Sequence, residues 1–552
     1  GAVDFDDLVR LAQRSLILDG AYLKRLQRRW PYILEDEAQD SSQSQERMLG
    51  LLSGRKNWVR VGDPNQAINT TFTTSNPRYL RDFLAGEGVK AFTLNEAGRS
   101  APPIIDLANT LMRWTVNDHP VEDLRSTFYF QEISPTPPGD LQGNPLPDEA
   151  LIHIHYKPGE TISPDKELEL VASSLTRWLP EHPDDTVAVL VPENSRGFKL
   201  AEHLRTLNLE YDELLRSTTA TRDAAQALHR VLDYLSKPTE QTGLSHIYRD
   251  VWWPNRPGKR ETVLEYATAA ESGQEAAEAL RDRIVKALSE LHEVETFLWP
   301  APGEAALDSL HLRLDSAQAV EIGEELEKFR ALIQRWLKAL ILPIDQLVLT
   351  VSQDLFAKAP ELALGYKIAQ LLRGAGFLNP HWRLPQFVEE LRAIAQNERK
   401  FLGFDDSEQG FEPKKGRVTI ATMHAAKGLE WDRVYLMAVS NYAFPSAQPY
   451  DNYISERWFV RDRLNLEAEM LAQLERLAFD KAYVEGDATQ RARLDYAAER
   501  LRLLYVGITR AKREVVITWN TGRFAAQRKT LENQPALPLV ALWEHLTEET
   551  GV

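Results

Sequence analysis

The run YILEDEAQD, residues 32–40, sets a short apolar strand, Tyr32-Ile33-Leu34, directly against two adjacent carboxylates, Asp36 and Glu37. A second run, NWVRVGD at 57–63, repeats the arrangement, with Trp58–Val61 ending at Gly62-Asp63. Short apolar strands alternating with helical stretches such as Asp6–Leu18 imply a parallel α/β sheet, whose ligands gather at the carboxyl ends of the strands. An Asp-Glu pair at such an end is where a nucleotide hydrolase holds its metal and activates its water. In a chain with 81 acidic residues it can also be a solvated helix start. Its meaning depends on what accompanies it.

The 552 residues are enough for about three or four domains. Hydrophobic residues make up 43% and charged residues 26%, which suits a globular chain able to bury real cores. No apolar run approaches the roughly 18 residues needed to span a bilayer. The opening GAVDFDDLV lacks the layout of a signal peptide. With no cysteine, disulfides and thiolate metal sites are excluded, which suits a cytoplasmic protein. The net charge of −16 argues against an overall basic coat but leaves room for a local basic groove.

Residues 1–130 read as α/β. The proline-rich stretch 133–149, ISPTPPGDLQGNPLPDE, marks a linker at 131–149. A second α/β region opens at 150–219 with ALIHIHY and the buried-strand run DTVAVLVPENS. Residues 220–405 turn helix-rich, with long amphipathic stretches at Gln274–Leu291 and Glu321–Leu342. The α/β character returns over 406–525 in GRVTIATMH, DRVYLMAV and REVVITW, and 526–552 form a tail. The expected architecture is an α/β domain interrupted by a mostly helical insertion.

Beyond YILEDEAQD come VGDPNQAI (61–68), TLNEAGRS (93–100), TMHAAKGLEWD (422–432) and ERLRLLYVGITRAK (499–512). In this order they resemble motifs II to VI of the UvrD/Rep/PcrA-like superfamily 1 DNA helicases. DFDDL (4–8) resembles the segment that precedes motif II in that family. The resemblance covers nearly the whole chain, the helical insertion in position only. It implies two RecA-like parallel-sheet domains that sandwich ATP and Mg²⁺ and ratchet along single-stranded or partially duplex DNA.

The same resemblance assigns residues. Asp36 would hold Mg²⁺, a cation that takes one or two carboxylates together with phosphate oxygens. Glu37 would activate the attacking water, and Gln66 would sense the γ-phosphate. Arg99 and Arg510 would reach the γ-phosphate, an arginine role worth on the order of 10³–10⁵ in rate. Arg99 can alternatively be a surface ion pair. Glu430 matches the position that contacts the ribose, and Thr422 and His424 match positions that touch the DNA backbone.

Two motifs depart from the pattern. Asn69 stands where a tyrosine is usual, and Phe72 lies one place beyond the usual aromatic; it can stack on a base or be a buried strand-end residue. Ala97-Gly98 precedes Arg99 where Asn-Tyr is typical, so adenine would be held differently. In the insertion, WWPNRPGKR (252–260) combines Trp252 and Trp253 with Arg256, Lys259 and Arg260. That is either a nucleic-acid contact or a proline-rich loop anchored by buried tryptophans. KKGR (414–417) is a weaker basic candidate.

None of the 28 glycines begins a G-x-x-x-x-G-K-[ST] phosphate loop. The chain opens on Gly1 and enters the family pattern at DFDDL, so roughly the first third of such a helicase is expected to be absent. Truncation, proteolysis or a companion polypeptide carrying the loop would each account for that. The expectation is a first RecA-like sheet that is incomplete and shows apolar edges, and a chain that alone does not hydrolyse ATP. The alternative is a non-catalytic helicase-like module that binds DNA or a partner. A fused nuclease does not fit the short stretch after REVVITW.

Overall fold

The computed structural model describes residues 5–54, 56–68, 76–215, 219–255, 271–310, 316–395, 411–449, 451, 453, 460–522 and 532–550. The chain divides into two compact units, Gly1–Leu215 with Glu412–Val552, and Arg216–Phe411.

The first unit begins with three helices, α1 (Phe5–Leu18), α2 (Gly20–Arg29) and α3 (Gln43–Ser53), packed on one another. Beside them β1 (Ile33–Glu35) and β2 (Trp58–Arg60) pair in parallel, Ile33 opposite Trp58. Helix α3 is started by a capping box, in which Ser42 Oγ accepts from the Gln45 N–H and the Gln45 side chain accepts from the Ser42 N–H. The outward residues of this small sheet stay in solvent, Leu34 at 77% and Val59 at 50% exposure. Parallel strands are normally covered on both faces, so that exposure is unusual. Two helices follow, α4 (Arg78–Leu84) and the largely buried α5 (Pro102–Asp118), which starts on two prolines.

The main sheet gathers β3 (Leu151–Ile154), β4 (Val187–Val191) and β5 (Tyr211–Leu214), linked by α6 (Pro164–Glu181) and α7 (Asn194–Thr206). After the second unit come β6 (Val418–Thr422), β7 (Trp431–Leu436) and a short antiparallel pair, β8 (Val460–Arg461) with β9 (Leu464–Asn465). Strand β10 (Ala511–Ile517) completes a six-stranded parallel sheet in the order β3-β10-β7-β4-β6-β5. The apolar runs of the sequence supply five of these strands. Strand β4, VAVLV, is buried along its whole length because helices cover both faces.

A buried carboxylate ties this layer together. Glu167 of α6 accepts from the Ala438 N–H (2.8 Å), Thr518 Oγ1 (2.6 Å) and Asn520 Nδ2 (2.6 Å), just beyond the carboxyl ends of β7 and β10. The sequence between the short pair and β10 folds as α17 (Leu466–Phe479) and α18 (Asp487–Ile508), and α19 (Leu537–Thr550) packs on α5. Gly507 lets α18 approach β7, since a Cβ there would lie 2.9 Å from Leu436 Cδ2.

The second unit is helical among its described residues. It comprises α8 (Thr219–Ser236), α9 (Gln241–Ile247), α10 (Trp253–Asn255), α11 (Glu271–Ser289), α12 (Val294–Leu298) and α13 (Ser316–Lys338). Helices α14 (Ile344–Leu355), α15 (Ala359–Leu378) and α16 (Leu384–Ala395) close it. Its core stacks Tyr248 edge-on against Phe329 (centroids 5.1 Å apart) and encloses Phe297 and Trp336. The Trp336 indole N–H donates to Asp354 (2.8 Å). No helix among the described residues is long and apolar enough to cross a membrane.

Trp336→Ala removes a fully buried indole, so it should cost about 3–5 kcal/mol of stability. Urea denaturation followed by tryptophan fluorescence measures this, and a loss below about 1 kcal/mol would contradict the packing described.

Candidate nucleotide site

The three acids of EDE part company at the end of β1. Glu35 turns inward and accepts from Ser41 Oγ, Trp58 Nε1 (3.0 Å) and Arg60 Nε (2.7 Å), so it is a structural residue. Asp36 faces solvent and, among the described residues, accepts only the N–H of Glu37 (2.9 Å). Glu37 has left-handed backbone, φ 51° and ψ 39°. That conformation is uncommon outside glycine and concentrates where a side chain must be aimed. Gln39 then links the ends of β1 and β2: its amide donates to Glu37 Oε2, and its carbonyl oxygen accepts from the Asp63 N–H (3.0 Å). Gly62 makes the junction possible, because a Cβ there would collide with Gln39 Oε1 and sit 2.9 Å from the Ala38 nitrogen.

A second set of residues meets the first from the main sheet. Lys427, in the turn after β6, places its ammonium 2.9 Å from Glu37 Oε2 and 2.5 Å from Asp40 Oδ2. Partial burial opposes ionisation of Glu37, but Lys427, the Gln39 amide and the charge of Arg510 outweigh it and hold this carboxyl below its usual range. Asp63 accepts from Gln66 Nε2 (2.9 Å) and the Asn65 N–H (2.8 Å). Burial dominates there and pushes its carboxyl up, against those two donors and the charges of Arg510 and Lys427.

Arg510 lies between the end of α18 and the start of β10 and is 1% exposed. Its guanidinium donates to the carbonyls of Val506 (3.0 Å) and Leu429 (3.3 Å) and to Thr509 Oγ1 (3.2 Å). All three acceptors are neutral. Burial, and then the charge of Arg99, bring it down to about 10, while Glu430, Tyr505 and Asp63 pull the other way. On the same helix Arg502 donates to the Ala67 carbonyl (2.7 Å), which ties α18 to the turn that presents Gln66.

Arg99 and Glu430 form an ion pair at 2.5 Å, and Lys512 holds the other oxygen of Glu430 at 2.9 Å. Burial opposes the charge of Glu430, but Lys512 and Arg99 prevail and hold its carboxyl below the usual value. The Arg99 segment is pinned in place by Ser100 Oγ donating to the Ala511 carbonyl (2.6 Å) and by Asn144 Nδ2 donating to the carbonyls of Ala97 (2.6 Å) and Ser100 (2.8 Å).

The residues assigned to DNA fall into three groups. Thr422 ends β6, its hydroxyl accepting from the Ala425 N–H (3.2 Å). His424 follows, partly exposed, with Nε2 3.6 Å from the fully buried Glu499. Trp252 and Trp253 are packed in the core of the helical unit, Trp252 Nε1 donating to Glu325 (3.2 Å). Buried rings offer no face to a base, so the stacking role is corrected and the two tryptophans are structural. Phe72, Arg256, Lys259 and Arg260 lie outside the described residues.

Comparison with known proteins finds two matched regions in the chain. Residues 1–83 match the UvrD/REP helicase N-terminal domain, and residues 384–522 match the UvrD-like helicase C-terminal domain. The chain is 23% identical over 532 residues to ATP-dependent DNA helicase UvrD2 of Mycobacterium tuberculosis, covering 96% of this chain and 53% of that protein. It is 23% identical over 548 residues to DNA helicase II of Haemophilus influenzae, covering 95% and 60%. RecBCD enzyme subunit RecB of the same organism is also 23% identical, over 92% of this chain and 38% of that protein. In both matched regions the chain is similar to the UvrD-like superfamily 1 helicases. It spans little more than half the length of the first two of these relatives.

In a UvrD-like helicase the functional groups just described would meet ATP and Mg²⁺, and the residues present fit both. A buried guanidinium that meets only neutral acceptors suits a phosphate oxygen. The described residues contain no cluster of three or more His, Cys, Asp or Glu able to enclose a metal. Mg²⁺ takes one or two carboxylates and completes its shell with phosphate and water, and Asp36, exposed at the end of β1, offers one. Lys427 escaped the sequence reading although it stands in KGLEW. Its ion pair with Asp40 bridges 387 positions, and nothing local announces that.

Glu430→Gln should soften the acid limb of thermal unfolding. A carboxyl held below its ordinary 4.5 adds stability that is complete above that pH and is lost as pH falls through the lowered value. Melting curves from pH 7 to 3 should therefore fall less steeply for the variant, and parallel curves would contradict the ion pairs described.

Proposed function

We propose that this chain carries the metal, base and arginine residues of the ATP site of a DNA translocase that runs 3′-to-5′ on single-stranded DNA. The observation that carries the reading is Arg510, a buried guanidinium without a carboxylate partner among the described residues, whose charge acts on both Glu37 and Asp63. In this reading residues 1–130 belong to a first RecA-like domain, and 150–219 with 406–525 form the second. Residues 220–405 are an insertion.

Asp36 would hold Mg²⁺, which supplies charge neutralisation at the β- and γ-phosphate oxygens when bound. Glu37, kept ionised by its neighbours, takes a proton from the attacking water once Lys427 is displaced. Gln66 reports the γ-phosphate through Asp63 and its hydrogen bonds. Arg99, released from Glu430, and Arg510 meet the charge that develops on the transferred group. Glu430, freed in turn, is available to the ribose. Thr422 and His424 lie beside this machinery at the end of β6 and contact the DNA backbone. Closing and opening of the two domains then moves the strand. Repair or recombination of DNA in the cytoplasm is the setting this reading favours.

The 552 residues contain no G-x-x-x-x-G-K-[ST] run, and the exposed apolar residues of β1 and β2 would offer a segment that carries one a sheet to join. ATP turnover measured with and without single-stranded DNA tests the reading. The 552-residue polypeptide alone should turn over ATP no faster than its Glu37→Gln variant. Supplying a phosphate-loop segment should bring DNA-stimulated turnover that Glu37→Gln abolishes and Arg510→Gln lowers on the order of 10³-fold. DNA-stimulated turnover that appears with the segment supplied and is indifferent to Glu37→Gln would refute the assignment.

A further inference from the structure

Helix α2 carries Lys24, Arg25, Arg28 and Arg29 and no acidic residue. The pairs 24/28 and 25/29, each one turn apart, share one side of the helix. Leu23, Leu26 and Gln27 occupy the half-buried side toward α3, where the Gln27 amide donates to the Leu51 carbonyl (2.8 Å). All four basic side chains are exposed, and none pairs with a carboxylate among the described residues. The Arg25 guanidinium lies over the Tyr22 ring at 5.4 Å, and that of Arg29 over Trp30 at 5.8 Å. These aromatics are themselves open to solvent, Tyr22 at 39%, Trp30 at 46% and the following Tyr32 at 68%.

The neighbouring loop adds to the patch. Lys56 is exposed, and the next residue, Asn57, is held to the α2–β1 junction by its side-chain amide, which donates to the Pro31 carbonyl (3.0 Å). Residues 20–34 and 47–59 together contain seven basic residues and no acidic one, in a chain of net charge −16. Helix-dipole stabilisation accounts for Arg28 and Arg29 in the last turn, but not for Lys24 and Arg25 one turn earlier. An ordinary solvated face of an acidic protein would mix both signs.

We infer that this face binds the backbone of single-stranded nucleic acid. It lies at the amino ends of β1 and β2, whereas Asp36 and Glu37 follow the carboxyl end, so it is a second contact separate from the nucleotide site. The guanidinium and ammonium groups, unpaired with carboxylates, neutralise phosphates, and the ring faces of Tyr22 and Trp30 away from their arginines, with the ring of Tyr32, receive unstacked bases. An anionic lipid surface would satisfy the charges but gives flat aromatics flanked by arginine no base to stack on.

Fluorescence anisotropy of a labelled oligo-dT, titrated with the 552-residue chain without nucleotide across a salt series, reads the site. Arg25→Gln with Arg29→Gln should flatten the slope of log K against log salt by about 1.4, from about 0.7 per contact on a single strand. Arg25→Lys with Arg29→Lys should restore it. Trp30→Ala should weaken binding roughly fivefold or more. In a Thr422→Ala, His424→Ala background, the binding that remains should disappear with the two glutamines. Circular dichroism checks that α2 persists, and the glutamine pair decides the matter if Trp30→Ala does not fold. Wild-type affinity and slope in the glutamine pair would overturn the inference. So would unchanged oligonucleotide binding alongside lost binding to phosphatidylglycerol vesicles. Neither outcome depends on ATP turnover, so this site and the nucleotide site fail or stand separately.

Discussion

Burying a guanidinium beside neutral carbonyls is unfavourable unless an anion arrives, and Arg510 is held in that condition by everything around it. The parallel pairing of β10 with β7 sets its backbone, and Trp431 donates its N–H to the Arg510 carbonyl (3.0 Å). Gly507 lets α18 pack against β7, so the helix end that carries Arg510 sits close to the sheet. The six-stranded order β3-β10-β7-β4-β6-β5 places β10 beside β7 and β6 two strands further on. The turn after β6 thereby presents Lys427 near the same place. A conventional parallel sheet thus gains a cationic rim where β7 and β10 begin, beside the acids after β1.

That rim has a matching set of anions. Lys427 occupies Glu37 and Asp40, and Arg99 with Lys512 occupies Glu430. These contacts hold the carboxyls of Glu37 and Glu430 below their usual range and at the same time keep them engaged. The groups that would act on a nucleotide are therefore satisfied by one another, and a ligand has to exchange partners with them. Arg510 stands apart because its partners are all neutral.

Much of this was legible in the sequence because long apolar runs and long motifs carry their own context. VAVLV, VTIAT and REVVI could only be strands, and Asp36, Glu37 and Arg510 stood in runs whose order is informative. Strand β5, YDEL, was not legible, since a half-buried edge strand with two acids lacks an apolar signal. Glu35 was equally opaque, because only folding brings Arg60 against it. Lys427 stood in view, but its role depends on an ion pair that spans the chain. Trp252 and Trp253 show the opposite error: aromatic beside basic suggests nucleic acid, yet packing against Phe329 made one of them, and burial both, parts of a core.

The account rests on Arg510 as a receptor for the terminal phosphate. Ligand-observed nuclear magnetic resonance titrations of Mg²⁺ with ATP and with ADP, on the chain and its Arg510→Gln variant, test that directly. The account predicts that the wild-type chain prefers ATP and that the variant binds both alike, with its affinity for ADP unchanged. The same ATP-to-ADP ratio in both proteins would contradict it.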